Sequence, residues 1–155
     1  MDTKRNEAYR LAAAQTAALC DGETNTVARL ANAASVIKEG LGFFWVGFYI
    51  VDPVAGNLVL GPFQGPIACT RIAFGRGVCG TAWKRKAPVV VKDVEQFPGH
   101  IACSTLSKSE IVVPVFASND SGEVRAVLDI DSENLAEFDD EDADCLEEIA
   151  DILKF

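Results

Sequence analysis

The sequence predicts an α+β domain with a largely antiparallel sheet, and two observations lead to that fold class. About six short segments rich in β-branched and aromatic residues follow one another, and four of them form two hairpins. The helical patterns, in contrast, lie mainly at the two ends of the chain. A length of 155 residues suits one domain with one real core, so we expect residues 1–155 to form a single domain.

Two helices are expected before the first strand and one at the end of the chain. Residues 9–20, YRLAAAQTAALC, have high helix propensity. The second helix has apolar residues at the spacing of one helical face, at Val27, Leu30, Ala34 and Ile37. Gly40 is its expected C-terminal cap. The last helix has Asp139 and Asp140 at its N-terminus, where carboxylates favour the helix dipole. Its buried face is predicted at Leu146, Ile149, Ala150 and Leu153.

The strands have a pattern that also suggests a pocket. FFWVGFYIV (43–51) and NLVLG (57–61) form the first hairpin, and SEIVVPVFA (109–117) and EVRAVLDIDS (123–132) form the second. RIAF (71–74) and PVVVKD (88–93) are short strands between them. Alternate residues of a strand share one face, so Trp45, Gly47 and Tyr49 lie together. They are either the wall of a small apolar pocket or a barely covered sheet face.

Charge and composition restrict the partners of the protein. The formal net charge is −9, and an acidic surface repels phosphate backbones, so we expect no nucleic-acid partner. No apolar run approaches the roughly 18 residues of a membrane span. The N-terminus, MDTKRNEAYR, lacks the apolar stretch of a signal peptide. A cytoplasmic protein that does not enter membranes is therefore expected.

The chain has five cysteines, at positions 20, 69, 79, 103 and 145. An odd count without a secretion signal argues against a disulfide scaffold. No CxxC pair is present and His100 is the single imidazole, so no metal site is expected. Inert buried thiols and redox or catalytic thiols both remain open.

GRGVCG (75–80) matches the GxGxxG pattern of dinucleotide-binding loops, and Asp93 follows. The segment 71–93 has only 23 residues, against about 30 in the usual unit, and hairpins follow it instead of further βαβ units. The alternative is a glycine-rich turn that places Cys79 at a helix N-terminus. The amide groups there would lower the pKa of its thiol.

VLDIDS and GHIACSTLSKSE contain the other chemically active residues. Asp129 and Asp131 share one strand face, while Ala126, Leu128 and Ile130 point to the core. Two close carboxylates tend to keep one proton, so they could bind a cation, transfer protons or bind a metal, unless the strand simply ends in solvent. Cys103 lies in a loop, which favours an exposed, reactive thiol. His100 could lower its pKa or serve a loop hydrogen bond.

The segments WVGFY, LVLGPFQG, IAC, GRGVCGTA, FPGHIAC, SEIVVP and VLDIDS, in this order, resemble the free methionine-(R)-sulfoxide reductases, which are single-domain GAF proteins. The resemblance extends from about Trp45 to the C-terminal helix. It implies a central, mostly antiparallel sheet of about six strands. Helices from both termini would pack on one face, and loops would close a small pocket on the other.

The resemblance also implies a role for each matching residue. Cys103 corresponds to the nucleophile, Cys69 to the principal resolving thiol and Cys79 to an auxiliary thiol. The carboxylates that bind the substrate ammonium and polarise the sulfoxide correspond to Glu110, Asp129 and Asp131. Trp45 and Tyr49 match aromatic residues that hold the methyl-sulfur end.

The family reduces free L-methionine-(R)-sulfoxide with thioredoxin as reductant and needs no metal or organic cofactor. Homodimers are common in it. Cys20 and Cys145 match no functional position, and we expect buried structural thiols there.

Two other functions are compatible with part of the sequence. A GAF module that senses a small ligand or redox state without turnover would not need three cysteines together with the carboxylates. A general thiol peroxidase would use the same nucleophile. It would leave unexplained the aromatic wall of Trp45 and Tyr49 and the acidic cluster of Glu110, Asp129 and Asp131.

Overall fold

A computed structural model describes residues 1–100 and 103–155, so Ile101 and Ala102 of the FPGHIAC motif lie outside the described residues. The helices are α1 (Thr3–Cys20), α2 (Thr26–Leu41), α3 (Gly77–Arg85) and α4 (Asp140–Ile152). The strands are β1 (Trp45–Asp52), β2 (Asn57–Gln64), β3 (Arg71–Ala73), β4 (Val89–Val91), β5 (Ser109–Phe116) and β6 (Val124–Ser132). A short 3₁₀ helix, Val94–Gln96, follows β4.

The six strands of the described chain form one sheet in the order β3-β2-β1-β6-β5-β4, and every neighbouring pair is antiparallel. The two hairpins meet in the centre of the sheet, where β1 pairs with β6. In this register Trp45 lies opposite Asp131, and Asp131 lies opposite Glu110 on β5. Three strands therefore bring an aromatic residue and two carboxyl groups into one row across the sheet.

The sheet separates two apolar clusters. On one face α1, α2 and α4 pack against inward residues of β1, β5 and β6, such as Val46, Ile111 and Leu128. On the other face α3 and the loops cover a second cluster that includes Trp45 and Tyr49. The predicted α+β fold, with terminal helices on one face and a pocket on the other, is confirmed.

Two details of the predicted helices are wrong. The left-handed cap of α2 is Gly42, with φ +74°, and its N–H donates to the Lys38 carbonyl, because the helix continues past Gly40. Val27 is 60% exposed and lies in the first turn, beside a surface groove next to β2. The buried face of α2 consists of Leu30, Ala33, Ala34 and Ile37.

The two ends of the chain are joined through Asp142. Asp139 caps α4, and the Asp142 side chain accepts from the Asp139 N–H in return. Asp142 also accepts hydrogen bonds from the Tyr9 hydroxyl and from Arg5 Nε, each at 2.8 Å. These contacts fix α1 to α4 on the sheet face opposite the pocket. Among the described residues, the helices are too short or too polar to cross a membrane.

Candidate active site

A cleft of about 590 Å³, a volume that includes open solvent at its mouth, lies on the sheet face that α3 covers. Its walls come from β1, the loop 65–70, the start of α3, His100, the segment 103–107, and strands β5 and β6. All the residues predicted as site residues line this cleft except Cys69, which contacts it through its bond to Cys103 and its carbonyl hydrogen bond with Tyr49. Residues that are far apart in the sequence thus meet at one place.

Three carboxyl groups form the floor of the cleft. Glu110 and Asp131 are direct partners across β5 and β6, and Asp129 lies two residues from Asp131 on the same strand face. Glu110 and Asp129 are each only 6% exposed. Ala126, Leu128 and Ile130 belong to the cluster on the other face, as predicted. The Oδ1 atom of Asp129 has no hydrogen-bond partner among the described residues.

Burial decides the charge of these acids. It raises the pKa of Glu110 well above its usual value, and the nearby Asp131 charge adds to the effect. Burial also raises the pKa of Asp129, with further contributions from Glu110 and Asp131. The pKa of Asp131 rises to about 6 through burial, although a hydrogen bond from the Ser107 hydroxyl opposes the shift. At neutral pH the cluster therefore keeps protons that it can donate.

His100 lies at the same cluster, with Nε2 at 3.5 Å from Glu110 Oε2. Burial lowers the pKa of His100, while burial raises that of Glu110. Both shifts favour the neutral form of the group, so burial disfavours an ion pair between His100 and Glu110. His100 thus faces Glu110, a contact that neither interpretation of this residue from the sequence included. Its position three residues before Cys103 indicates nearness to that cysteine but not the contact with Glu110.

Cys69 and Cys103 form a disulfide, with their Cα atoms 5.5 Å apart. Cys103 is exposed and Cys69 is half-buried, so an external dithiol can approach the bond from solvent. The two cysteines are 34 residues apart in sequence. The fold brings them together because the loop after β2 and the segment before β5 border the same cleft.

Cys79 differs from the other two cysteines of the site. It lies in the first turn of α3, as expected, but it is buried. Burial and the neighbouring Asp129 and Glu110 raise the pKa of its thiol well above the usual value. The expectation of a thiol activated by the helix N-terminus is therefore wrong. Desolvation and nearby negative charge outweigh the helix amide groups.

The GRGVCG segment has a structural explanation. The Gly75 N–H donates to the Gly80 carbonyl at 3.0 Å, and a Cβ at Gly80 would lie 2.5 Å from the Ala73 carbonyl oxygen. The glycines thus allow α3 to begin directly against β3. This close contact between α3 and β3 accounts for the spacing of the glycines in GRGVCG.

The side chains of Cys79, Glu110 and Asp129 have donor atoms within 4.8 Å of one another. A thiol with two carboxylates is a donor set that Zn²⁺ accepts. Burial raises the pKa of all three groups, so a cation would have to displace their protons. The arrangement is better suited to sharing protons.

The aromatic wall stands above the acids. The Trp45 ring stacks on Tyr49 and Phe63, with centroid distances of 6.2 and 5.3 Å. A side chain at Gly47 would overlap the Trp45 ring, so Gly47 lets this ring lie flat over β1. Trp45 Nε1 donates to the Pro66 carbonyl at 3.0 Å, and the Tyr49 hydroxyl donates to the Cys69 carbonyl at 2.9 Å.

Cys20 and Cys145 lie on α1 and α4, on the other side of the sheet from the cleft. Both are only partly buried, whereas buried thiols were expected. They contact the edge of the helix-side cluster.

The profile of the GAF domain family matches residues 24–155. The protein therefore belongs to the GAF domain family. The free methionine-R-sulfoxide reductase of Saccharomyces cerevisiae is 45% identical over 141 residues, which cover 87% of this chain and 77% of the yeast protein. The enzyme of the same name from Escherichia coli is 47% identical over 133 residues, covering 85% of this chain and 78% of that protein.

A solved structure leads to the same group. The free methionine-R-sulfoxide reductase of Neisseria meningitidis, in complex with its substrate, superposes with a TM-score of 0.94 at 54% identity, covering 99% of this chain and 90% of that one. Within the GAF family the protein belongs to the free methionine-R-sulfoxide reductases, which confirms the resemblance seen in the sequence.

Proposed function

We propose that this protein reduces free L-methionine-(R)-sulfoxide to methionine and that thioredoxin restores its thiols. The observation that carries the proposal is the Cys69–Cys103 disulfide, which is exposed at Cys103, beside a cleft with an aromatic wall and a floor of buried acids. The names of the relatives support the same reaction.

The two surfaces of the cleft suit the two ends of the substrate. Glu110, Asp129 and Asp131 would receive the ammonium group, whose positive charge compensates the ionisation of buried carboxyl groups. Trp45 and Tyr49 would contact the methyl-sulfur end. A methionine sulfoxide within a peptide has no free ammonium group, so it should be excluded.

The first half of the reaction transfers the oxygen. The Cys103 thiolate attacks the sulfoxide sulfur, and a neutral carboxyl group of the cluster donates a proton to the sulfoxide oxygen. The oxygen then passes to the Cys103 sulfur: the S–O bond of the substrate and the transient S–S bond break, an S–O bond forms on Cys103, and methionine leaves. The Cys103 sulfur loses two electrons to the substrate sulfur and ends as a sulfenic acid.

The second half restores the enzyme. The Cys69 thiol attacks the sulfur of the Cys103 sulfenic acid. The hydroxyl group of the sulfenic acid leaves as water with the thiol proton, and the disulfide forms. The dithiol of thioredoxin then exchanges with this bond, which regenerates two thiols and oxidises thioredoxin. Cys79 is less suited to resolve the sulfenic acid, because burial keeps its thiol protonated.

Other features stay predictions. We propose that the reaction takes place in the cytoplasm, that residues 1–155 act as a single domain, and that the chain forms a homodimer. None of these properties is needed for the chemistry at the cleft.

NADPH consumption through thioredoxin and its reductase tests the proposal. Three substrates are compared: the free R epimer, the free S epimer and an N-acetylated R analogue. Turnover of the free R epimer alone, lost in Cys103→Ser, is the expected result. Faster turnover of hydrogen peroxide would instead favour a thiol peroxidase. No turnover by the folded, reduced protein would favour a ligand-binding GAF module.

A further inference from the structure

The loop that carries Cys69 depends on the aromatic wall of the cleft. Residues 65–70 connect β2 to β3 and lie mostly at the surface. In the part of the chain that the structure describes, three hydrogen bonds hold this loop. One is a main-chain bond from the Leu60 N–H to the Thr70 carbonyl. The other two come from Trp45 to the Pro66 carbonyl and from Tyr49 to the Cys69 carbonyl.

Packing also links the loop 65–70 to Trp45 and Tyr49. Gly65 has φ +139°, and a Cβ at this position would lie 2.6 Å from Trp45 Cδ1. The loop therefore starts in direct contact with the indole ring and ends at the Tyr49 hydroxyl. Burial raises the pKa of Tyr49, so the hydroxyl keeps the proton that it donates.

We propose that Tyr49, assisted by Trp45, is a positioning residue for the resolving step: its hydrogen bond holds the Cys69 main chain where the Cys69 sulfur can reach Cys103. This inference rests on the proposed function and adds a role to two residues that sequence reasoning assigned only to substrate binding. Both bonds end on main-chain carbonyls. They do not involve the sulfur atom that changes its oxidation state.

The chemical step affected is the formation of the disulfide. The Cys69 sulfur forms a bond to the Cys103 sulfur, the S–O bond of the sulfenic acid breaks, and the hydroxyl group leaves as water. Without the Tyr49 hydroxyl, the loop spends less time with Cys69 in reach. The sulfenic acid then persists longer, and the rate falls because correct orientation of the two sulfurs is lost.

A single-turnover experiment on Tyr49→Phe separates this role from substrate binding. The pre-reduced protein is mixed with free methionine-(R)-sulfoxide and quenched at intervals. Methionine release and disulfide formation are then measured in the same samples, the latter by mass spectrometry after alkylation of the remaining thiols. We expect disulfide formation to slow about five- to tenfold more than methionine release, as the loss of one hydrogen bond implies. Dimedone should trap more sulfenic acid on Cys103 than in the wild type.

The chain offers a matched control, because it has two tyrosines. Tyr9 also donates from a buried hydroxyl, to Asp142, but on the other side of the sheet. Tyr9→Phe should leave both rates unchanged. Trp45→Phe, which lacks the donor to Pro66, gives a second variant with the same readout if Tyr49→Phe does not fold.

The outcomes of the single-turnover experiment distinguish the positioning role of Tyr49 from the proposed function. Equal slowing of both steps in Tyr49→Phe and Trp45→Phe would overturn the inference while leaving the proposed function intact. A wild-type protein that releases no methionine would instead overturn the proposed function itself.

Discussion

Replacing Asp129 by asparagine should lower activity and raise stability. Asparagine keeps the shape of a protonated aspartic acid but cannot carry a negative charge. The Oδ1 atom of Asp129 is buried and has no partner among the described residues, so it is well placed to accept from a substrate ammonium. A hydrogen bond between charged groups at a buried site contributes about 2–3 kcal/mol. The kcat/KM for the free sulfoxide should therefore fall about 30- to 150-fold.

The stability effect has the opposite sign. The folded-state pKa of Asp129 is raised, so the folded protein holds a proton that the unfolded chain releases at lower pH. Stability due to this group is therefore highest at low pH. It is lost as the pH rises from the unfolded value of about 4 towards the folded one. Asparagine removes this loss, so the variant should unfold at higher urea concentration than the wild type at pH 8, with a smaller difference at pH 4.

Two measurements test the ammonium contact and the protonated state of Asp129, and one variant serves as control. Steady-state kinetics give kcat/KM, and urea unfolding at pH 4 and pH 8 gives the free energy of unfolding. Asp144→Asn, at an exposed position on α4, should change neither. A variant with nearly normal kcat/KM would refute the ammonium assignment. A decrease in stability that is equal at both pH values would refute the protonated state of the buried acid.

Three further results are expected. In Asp131→Asn, the free energy of unfolding should fall less between pH 4 and pH 7 than in the wild type, because Asp131, with a native pKa of about 6, loses its stabilising proton in this range. Urea unfolding measures the two pH profiles, and parallel profiles would contradict the prediction. Gly47→Ala should lower the free energy of unfolding by about 1–3 kcal/mol and raise KM, because its methyl group overlaps the Trp45 ring; unchanged unfolding and kinetics would show that the ring can move aside at no cost. Cys69→Ser should stop thioredoxin-dependent turnover, whereas Cys79→Ser should slow it far less, since the disulfide joins Cys69 to Cys103; equal losses in the NADPH assay would assign the resolving role to both thiols.

The strands could be predicted from the sequence because each depends on local alternation. β5 was expected at 109–117 and spans Ser109–Phe116, and β6 was expected at 123–132 and spans Val124–Ser132. The faces of the helices were harder to predict. Val27 has the correct spacing, but its exposure depends on where α2 lies relative to the sheet. Spacing alone does not contain that information.

In the site, too, local features could be predicted from the sequence, whereas contacts between separate elements could not. A single strand puts Asp129 and Asp131 on one face, so their proximity could be predicted from spacing. Glu110 joins them only through the β5–β6 register, which the hairpin residues leave open. The Cys69–Cys103 pair came from the family resemblance, since five cysteines allow many pairings. The sign of the Cys79 pKa shift was wrong because the sequence reveals its helix position but not its burial.

The contact of His100 with Glu110 is also beyond sequence reasoning. It joins a residue just before the 103–108 segment to one on β5, and no periodic pattern links them. A contact of this kind depends on where His100 lies over the sheet.

The most direct test of the central claim is a single turnover without any external reductant. The reduced protein is mixed with excess free methionine-(R)-sulfoxide, the methionine is quantified, and the oxidised cysteines are identified by mass spectrometry. We expect about one methionine per chain, a new bond between Cys69 and Cys103, and no methionine from Cys103→Ser. Methionine production by Cys103→Ser, or an oxidised wild type that lacks the Cys69–Cys103 bond, would contradict the central claim.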